Sequence, residues 1–353
     1  MKIVLVSDAW FPQINGVVTT LFKTKQELEK LGHHVITITP DQFKTIPCPT
    51  YSEIRLAIAP SKKVRELLNA FQADAVHIAT EGPLGLAARA WCLKQNLPFT
   101  TSFHTRFPEY VKLRFHIPLA LTYAFQRWFH GAAQYTMVAT EALRQELAEK
   151  GFINLVIWSR GVDTELFRPR EKTLLTYPRP VFSYLGRVAV EKNIEAFLKL
   201  DLPGTKYVIG DGPDMSKLMQ RYPEVIFVGF KTGEDLALHL AQADVFVFPS
   251  HTDTFGLVVI EALACGVPVA AYPVRGPADI IVSGEFGYLD EDLQNAALKA
   301  RSLDPTRCRA AALKYTWAAC TQQFLSHLNH AQRAKGKTQP ATAATPDPTR
   351  VQP

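Results

Sequence analysis

Short apolar runs alternate with amphipathic runs along almost the whole chain, and the alternation stops once and then starts again. Residues 3–6 read as a strand, 17–31 as a helix ended by Gly32, and 34–39 as the next strand. Helices over 64–71 and 84–95 then alternate with strands over 75–78 and 99–103. A helical region over 118–130, a strand over 137–139 and a helix over 141–150 complete the first half. Alternation of this kind predicts an α/β fold with parallel strands, because each crossover between parallel neighbours must carry a covering helix. The pause falls at 168–180, a charged stretch punctuated by proline. Strands then resume over 181–185, 206–209, 225–228, 245–248 and 267–272. A chain of 353 residues is long for a single core. The pattern therefore predicts two doubly wound, Rossmann-like domains, residues 1–168 and 181–310, joined by a linker at 169–180. Residues 311–334 are expected to form a C-terminal helix, with Trp317, Phe324 and Leu328 on one side, that returns toward the first domain. Residues 335–353 lack periodicity and read as disordered. Two doubly wound domains place a ligand in the cleft between the carboxyl ends of their strands.

Composition narrows the class. With 47% hydrophobic and 20% charged residues the chain reads as a soluble globular protein. Its five cysteines are scattered, without metal or redox spacing, which fits reduced thiols and a cytoplasmic location. The first apolar run lasts four residues before Ser7 and Asp8, too short for a signal peptide or a membrane span. The net charge is +6, and residues 1–168 carry most of it, with 19 Lys+Arg against 14 Asp+Glu. Such an excess suits an anionic neighbour, a phospholipid surface or a phosphorylated substrate, or it is simply a solvated surface. Nothing points to nucleic acid.

Residues 249–268 carry the densest functional signal. Asp253 and Glu261 bracket the start of a helix that holds Gly256 in its first turn. Eight residues at about 1.5 Å each would put the two carboxylates roughly 12 Å apart if the helix runs through both. Bare first-turn amides at the positive end of the helix dipole lie between them. The layout takes an anion in the middle and hydroxyls at each end, as in the ribose, diphosphate and hexose of a nucleotide sugar. Arg187 and Lys192 follow the strand 181–185. In isolation they would be surface charges, but at a strand end in the expected cleft they can neutralise a diphosphate leaving group. Gly210-Asp211-Gly212 lacks the third glycine of a dinucleotide fingerprint, with Met215 in its place, which disfavours a nicotinamide enzyme. Gly229-Phe230 ends a strand where backbone amides either read the edge of a base or merely turn the chain.

Taken together, Gly186-Arg187-(x4)-Lys192, Gly210-Asp211-Gly212-Pro213, Pro249-Ser250 and Phe255-Gly256-Leu257-(x3)-Glu261-Ala262-(x3)-Gly266-(x)-Pro268 resemble the retaining glycosyltransferases of family 4, which have the GT-B fold. Phe11-Pro12-(x2)-Asn15-Gly16-Val17 and Arg160-Gly161-Val162-Asp163-(x3)-Phe167 match that family in the first half. The resemblance covers roughly residues 1–330. Thr252 to Leu257 and Ser102-Phe103-His104-Thr105 are similar to bacterial α-mannosyltransferases that use GDP-mannose. They are also similar to enzymes that make sulfoquinovosyl diacylglycerol from a UDP-sugar. It implies hexose transfer from GDP-mannose, or second a UDP-hexose, to a hydroxyl of a lipid acceptor of the diacylglycerol-glycolipid type.

The same resemblance implies residue roles. Arg187 and Lys192 hold the diphosphate and stabilise charge on it, and Glu261 accepts from ribose hydroxyls. Asp253, with the amides around Thr254, Phe255, Gly256 and Leu257, holds the hexose and the adjacent phosphate. Gly16 lets backbone approach the phosphates, Gly229 and Phe230 meet the base, and His104 sits near the hexose and the acceptor hydroxyl. The wider family has Glu where this chain has Asp253. That side chain is shorter by about 1.5 Å, so the donor sugar is left open. Retention implies front-face attack, with the departing phosphate taking the acceptor proton. No carboxylate pair set for double displacement is read from the sequence. No cofactor or metal is expected, since the sequence is read as holding neither a DxD triplet nor a His/Cys ligand spacing.

Two features stay open. His104 is either a hydrogen-bonded structural group or part of a polar strand-end cluster with Ser102, Thr105 and Arg106. Residues 106–130 interleave cations with aromatics, including Arg106, Lys112, Arg114, Arg127, Tyr110, Phe125 and Trp128. They would either lie in the headgroups of an anionic membrane, at the inner face of the cytoplasmic membrane, or form core and solvated rim. Asp8 is left without a role, and Asp163 reads as a cap for the turn toward Phe167. The rival functions are transfer onto a soluble or lipid-linked glycan, a GT-B phosphorylase or sugar-nucleotide epimerase, and a catalytically dead binding module. The joint presence of Arg187, Lys192 and Glu261 argues against the last.

Overall fold

The computed structural model describes residues 1–13, 15–48, 51–105 and 118–338. The first part of the basic aromatic segment, 106–117, and the tail 339–353 lie outside the described residues. Strands β1 (Lys2–Val6) and β2 (His34–Ile38) open the first sheet, while β3 (Thr45–Cys48) and β4 (Tyr51–Ala57) form a separate antiparallel ribbon. The sheet continues through β5 (Ala75–Ile78), β6 (Phe99–Ser102), β7 (Tyr135–Val138) and β8 (Leu155–Ile157), in the order β2-β1-β5-β6-β7-β8. The second sheet takes β9 (Val181–Leu185), β10 (Thr205–Ile209), β11 (Ile226–Phe227), β12 (Val245–Phe248), β13 (Val269–Ala271) and β14 (Gly287–Leu289). Its order is β11-β10-β9-β12-β13-β14, and the neighbours in both six-stranded sheets run parallel.

Continuous apolar runs become these strands because helices cover both faces, so neither face needs polar residues. Val4, Val6, Val76 and Ile78 pack on one side of the first sheet, and Ile3, Leu5 and Ala75 on the other. Strand β6 departs from that rule. Its Thr100, Thr101 and Ser102 are fully buried, and their hydroxyls must therefore find partners inside the protein. Strand order reverses direction between β1 and β5 in the first sheet and between β9 and β12 in the second. Crevices outside the carboxyl ends at such switch points are where doubly wound sheets hold ligands.

The segment 169–180 is strapped to the second sheet. Arg170 pairs with Glu234 at 2.8 Å, while Lys172 and Arg179 both reach Asp244 Oδ1, at 2.7 and 2.8 Å. Burial alone would push the Asp244 carboxyl up, but those two cations and the Val181 amide hold it below the ordinary carboxylate range. The last helix, Trp317–Thr338, runs beyond the expected end at 334, so the start of the segment read as disordered is helical. It lays Trp317, Cys320, Phe324 and Leu328 against Ile3 and Leu5 of the first sheet, Leu21 and Leu28 of the helix Gly16–Lys30, and Trp158.

Gly161 permits that return. A Cβ there would come within 2.6 Å of the Trp317 nitrogen and 2.7 Å of its Cα. Gly161→Ala is expected to cost about 1–3 kcal/mol by overpacking, read as a lower urea midpoint. An unchanged midpoint would mean that the last helix is not docked this way in solution.

No helix among the described residues is long and apolar enough to cross a membrane. In the helix Leu119–Gly131, Tyr123, Gln126, Phe129 and His130 are buried, while Leu121 and Trp128 are 64% and 54% exposed. Its aromatics therefore divide between core and surface.

Candidate active site

Two loops of the second domain build one wall. After β9 the chain turns through Gly186 and Arg187 into the short turn Val190–Lys192, and Asn193 adopts a left-handed φ of 51°. The Asn193 amide donates to the Pro249 carbonyl at 3.1 Å, and the Thr252 hydroxyl donates to the Glu191 carbonyl at 3.3 Å. The loops after β9 and β12 are thereby tied together at the switch point. That tie brings the Lys192 ammonium to the Asp253 carboxylate, Nζ to Oδ1 2.5 Å. Burial would raise the Asp253 carboxyl, but Lys192, and then the Ser250 hydroxyl, hold it below its ordinary value. Its other oxygen, Oδ2, is buried and accepts no hydrogen bond among the described residues. Gly210 has a tighter duty than the fingerprint comparison suggested, since a Cβ there would sit 1.9 Å from the Gly186 carbonyl oxygen.

The helix expected to carry both carboxylates begins later than the sequence suggests. It spans Leu257–Ala264, and Gly256, at φ 89°, is its N-cap rather than part of its first turn. Asp253 therefore precedes the helix, and a separation counted at one rise per residue from Asp253 to Glu261 does not apply. A glycine N-cap has no side chain to cap with, and the amides of Leu257 and Val258 have no acceptor among the described residues. Glu261 lies one turn inside. Burial pushes its carboxyl up to about 7, and no hydrogen bond or ion pair holds its side chain among the described residues. Phe255 is buried in the core edge-on to Tyr315, ring centroids 5.9 Å apart, so only its backbone can face a ligand.

The first domain supplies the other wall. Gly16 is the first residue of the helix Gly16–Lys30 and not a loop glycine; Asn15 caps that helix by accepting from the amides of Val17 and Val18. A Cβ on Gly16 would lie 3.6 Å from Leu257 Cδ1, an ordinary contact, so the protein itself does not require glycine there. The two helix starts thus face each other. Thr254 also spans the cleft, donating its hydroxyl to the His104 carbonyl at 2.8 Å, and Arg275 pairs with Glu146.

The His104 ring is held well below its ordinary pKa by burial first, then by Arg160, His77 and His130. The ring is therefore neutral. Arg160, quoted in the sequence only within a motif, is a residue that sequence reasoning missed as part of the site. Arg160 is buried and donates to the carbonyls of Trp158 and Ser159 and to His104 Nδ1 at 3.1 Å. The hydroxyls of β6 find their partners in the same place. His77 bonds Thr100 and Ser102, and His130 bonds Thr101 and Glu81.

Other positions fall outside this cluster. Gly229, at φ 73°, and Phe230, 55% exposed, follow β11, two strands from β9. At one strand spacing each, that is roughly 10 Å away. Asp8 accepts from Thr80 and from the Leu84 and Gly85 amides, and Asp163 accepts from the Leu166 amide and Lys23; both serve the fold. Contrary to the expectation that no DxD triplet occurs, the sequence holds one, Asp290-Glu291-Asp292. Asp292 caps the helix Leu293–Ala300 and Asp290 accepts from the Asp292 amide and Asn295, so both are committed to that turn.

Two doubly wound domains, with Lys192 and a glycine-capped helix start on one wall and a buried histidine on the other, form a cleft suited to an anionic ligand. The Glycosyltransferase Family 4 model matches residues 14–166, and that for glycosyl transferases group 1 matches residues 179–303. The chain is 30% identical over 364 residues to sulfoquinovosyl transferase SQD2 of Arabidopsis thaliana, covering 90% of this chain and 71% of that protein. It is 27% identical to a GDP-mannose-dependent alpha-mannosyltransferase of Mycobacterium tuberculosis, over 97% and 99% of the two chains. It is 28% identical to the alpha-monoglucosyldiacylglycerol synthase of Streptococcus pneumoniae, over 86% and 79%. Among solved structures, sucrose-phosphate synthase from Thermosynechococcus elongatus superposes with a TM-score of 0.72 at 21% identity, over 94% and 99% of the chains. Anabaena HepE in complex with UDP superposes at 0.70 and 16% identity, over 94% and 100%. These likenesses show the GT-B fold. The chain belongs to glycosyltransferase family 4, a family of retaining hexosyltransferases that draw on nucleotide sugars.

Proposed function

We propose that the protein transfers mannose from GDP-mannose, or in second place a hexose from a UDP-sugar, to a hydroxyl of a diacylglycerol-type glycolipid at the inner face of the cytoplasmic membrane. The observation that carries the donor half is the Lys192–Asp253 pair beside the uncapped start of the Leu257–Ala264 helix. A diphosphate set against those amides gains the helix dipole and the Arg187 and Lys192 charges together. Glu261 takes the ribose hydroxyls, Gly229 and Phe230 meet the base, and Asp253 with the Thr254–Leu257 backbone holds the hexose. The bond from the anomeric carbon to the phosphate oxygen breaks as the acceptor oxygen bonds to the same face. The acceptor proton passes to the departing phosphate.

The acceptor half rests on two supports. Two of the relatives are named for lipids, a monoglucosyldiacylglycerol synthase and a phosphatidylinositol dimannoside mannosyltransferase. The exposed Leu121 and Trp128 offer apolar contact on the helix that follows the basic aromatic segment.

A thermal-shift screen of GDP- and UDP-sugars, followed by radiolabel transfer into lipid extract, tests the whole reading. GDP-mannose is expected to give the largest shift, and the label is expected in the chloroform phase. Label confined to water-soluble glycan would overturn the lipid acceptor. No shift with any nucleotide sugar would overturn the donor site. EDTA is expected to leave the rate unchanged; full loss restored by Mg²⁺ or Mn²⁺ would show that metal is required.

A further inference from the structure

We propose that Arg160 is a positioning residue that fixes His104 as the tautomer protonated on Nε2, turning it into a permanent hydrogen-bond donor toward the hexose. The donor half of the proposal stands on geometry alone. A guanidinium has only donors, so a contact of 3.1 Å from Arg160 Nη2 makes His104 Nδ1 an acceptor, and the ring proton must sit on Nε2. Arg160 cannot swing away easily, because its Nη1 donates to the Trp158 carbonyl at 2.6 Å and the Ser159 carbonyl at 3.2 Å. Its guanidinium also lies 4.9 Å from the Trp158 ring, and the His104 ring meets that same indole edge-on at 5.6 Å.

The rest of the cluster has spent its hydrogen bonds. His77 uses both ring nitrogens on Thr100 and Ser102, and His130 uses both on Thr101 and Glu81. His104 alone among the three keeps a buried nitrogen, Nε2, with no partner among the described residues. A buried donor without an acceptor costs on the order of 1–3 kcal/mol, and a hydroxyl of the incoming sugar would repay it. The Thr254 hydroxyl holds the His104 carbonyl from the opposite domain, so the ring is oriented from both sides of the cleft.

Charge works in the same direction. Arg160, His77 and His130 are the titratable groups that act on His104. Burial lowers the Arg160 pKa, with Cys320 opposing, but only to about 10, so it stays charged at neutral pH. His77 is pushed down to about 3 by burial, Arg160 and His130, and stays neutral. A protonated His104 would set a second cation against the guanidinium. The inference rests on the transfer reading only for what the donated proton serves.

Long-range ¹H–¹⁵N spectra of the full chain labelled with ¹⁵N-histidine test it, with His104→Gln to assign the signal. Wild-type protein is expected to show one neutral Nε2–H ring from pH 5.5 to 8.5. A ring protonated on Nδ1, or an imidazolium at pH 7, would overturn the proposal without any variant. Arg160→Met is expected to free His104 to take either neutral tautomer and to raise the pH at which it titrates, with burial still holding it below its ordinary value. Its kcat should fall about tenfold, the worth of one lost hydrogen bond of about 1.4 kcal/mol, with KM little changed. Arg160→Lys, which keeps a donating cation, is expected to recover the Nε2–H signal and part of kcat. A folded Arg160→Met that keeps the wild-type tautomer, or one that keeps wild-type kcat, would overturn it; if that variant does not fold, the wild-type spectrum and Arg160→Lys decide. Wild-type protein with the expected tautomer but no transfer from any nucleotide sugar would instead sink the transfer reading and leave the Arg160–His104 assignment standing.

Discussion

Glu261→Gln is expected to stabilise the ligand-free protein at pH 8 and, in the same molecule, to destroy its grip on the nucleotide. The carboxyl stands at about 7 in the folded chain because burial penalises its charged form. In the unfolded chain it titrates near 4.3. Below pH 4 both states hold the proton and the residue costs nothing. As pH rises through the unfolded value toward 7, the unfolded chain releases its proton first and stability is lost. By pH 8 the loss is at most about 4 kcal/mol, less whatever water reaching the half-buried carboxylate recovers. Glutamine removes that penalty, so its melting temperature should exceed the wild type at pH 8 and match it near pH 4. Ribose hydroxyls, by contrast, donate best to an ionised carboxylate. Two charge-assisted hydrogen bonds imply a loss of roughly 100-fold or more in nucleotide affinity. Wild-type affinity should also weaken below pH 7, while the Gln variant stays flat. Titration calorimetry at pH 6 and 8 reads both effects. A Gln variant that binds as tightly as wild type would remove Glu261 from the site.

Lys192→Ala carries the second large effect, and it can be split in two. The substitution leaves the Asp253 carboxylate without its partner at 2.5 Å, in a place where Oδ2 is already unsatisfied. Breaking a pair of this kind costs about 3–5 kcal/mol when fully buried. With 25% and 19% of the two side chains exposed, the lower end applies. Loss of charge stabilisation on the leaving diphosphate should lower kcat by about 100- to 1,000-fold. The double variant Lys192→Ala, Asp253→Asn removes the stranded charge, so it should regain most of the stability and none of the activity. Denaturation midpoints and initial rates on the three proteins separate these contributions. A Lys192→Ala enzyme within threefold of wild-type kcat would mean that the cation does not act on the leaving group.

Much of the fold is legible in the sequence, for a physical reason. Residues 75–78, 181–185 and 245–248 form strands where the apolar runs place them, because a strand buried on both faces announces itself without reference to its neighbours. The Thr45–Cys48 and Tyr51–Ala57 ribbon was not foreseen. Its first strand holds Pro47 and an exposed Ile46, so it shows neither a continuous apolar run nor clean alternation. The run at 225–228 keeps only two residues of strand at the edge of its sheet. The Leu257–Ala264 helix starts late because Gly256 takes a left-handed φ, which residue type permits but does not announce.

The site divides along the same line. Sequence alone announced the two doubly wound sheets and which charged residues follow their strands. Period, strand ends and motif spacing are local properties, written in consecutive residues. Tertiary structure decided what those residues are to one another. Lys192 and Asp253 lie 61 positions apart and meet because two loops are tied at the switch point. Arg160 and His104 lie 56 positions apart, and in the sequence each reads as a separate polar residue. Whether a carboxyl titrates near 7, a histidine stays neutral or an arginine becomes a buried donor depends on which distant segments exclude water around it. Packing alone sets that.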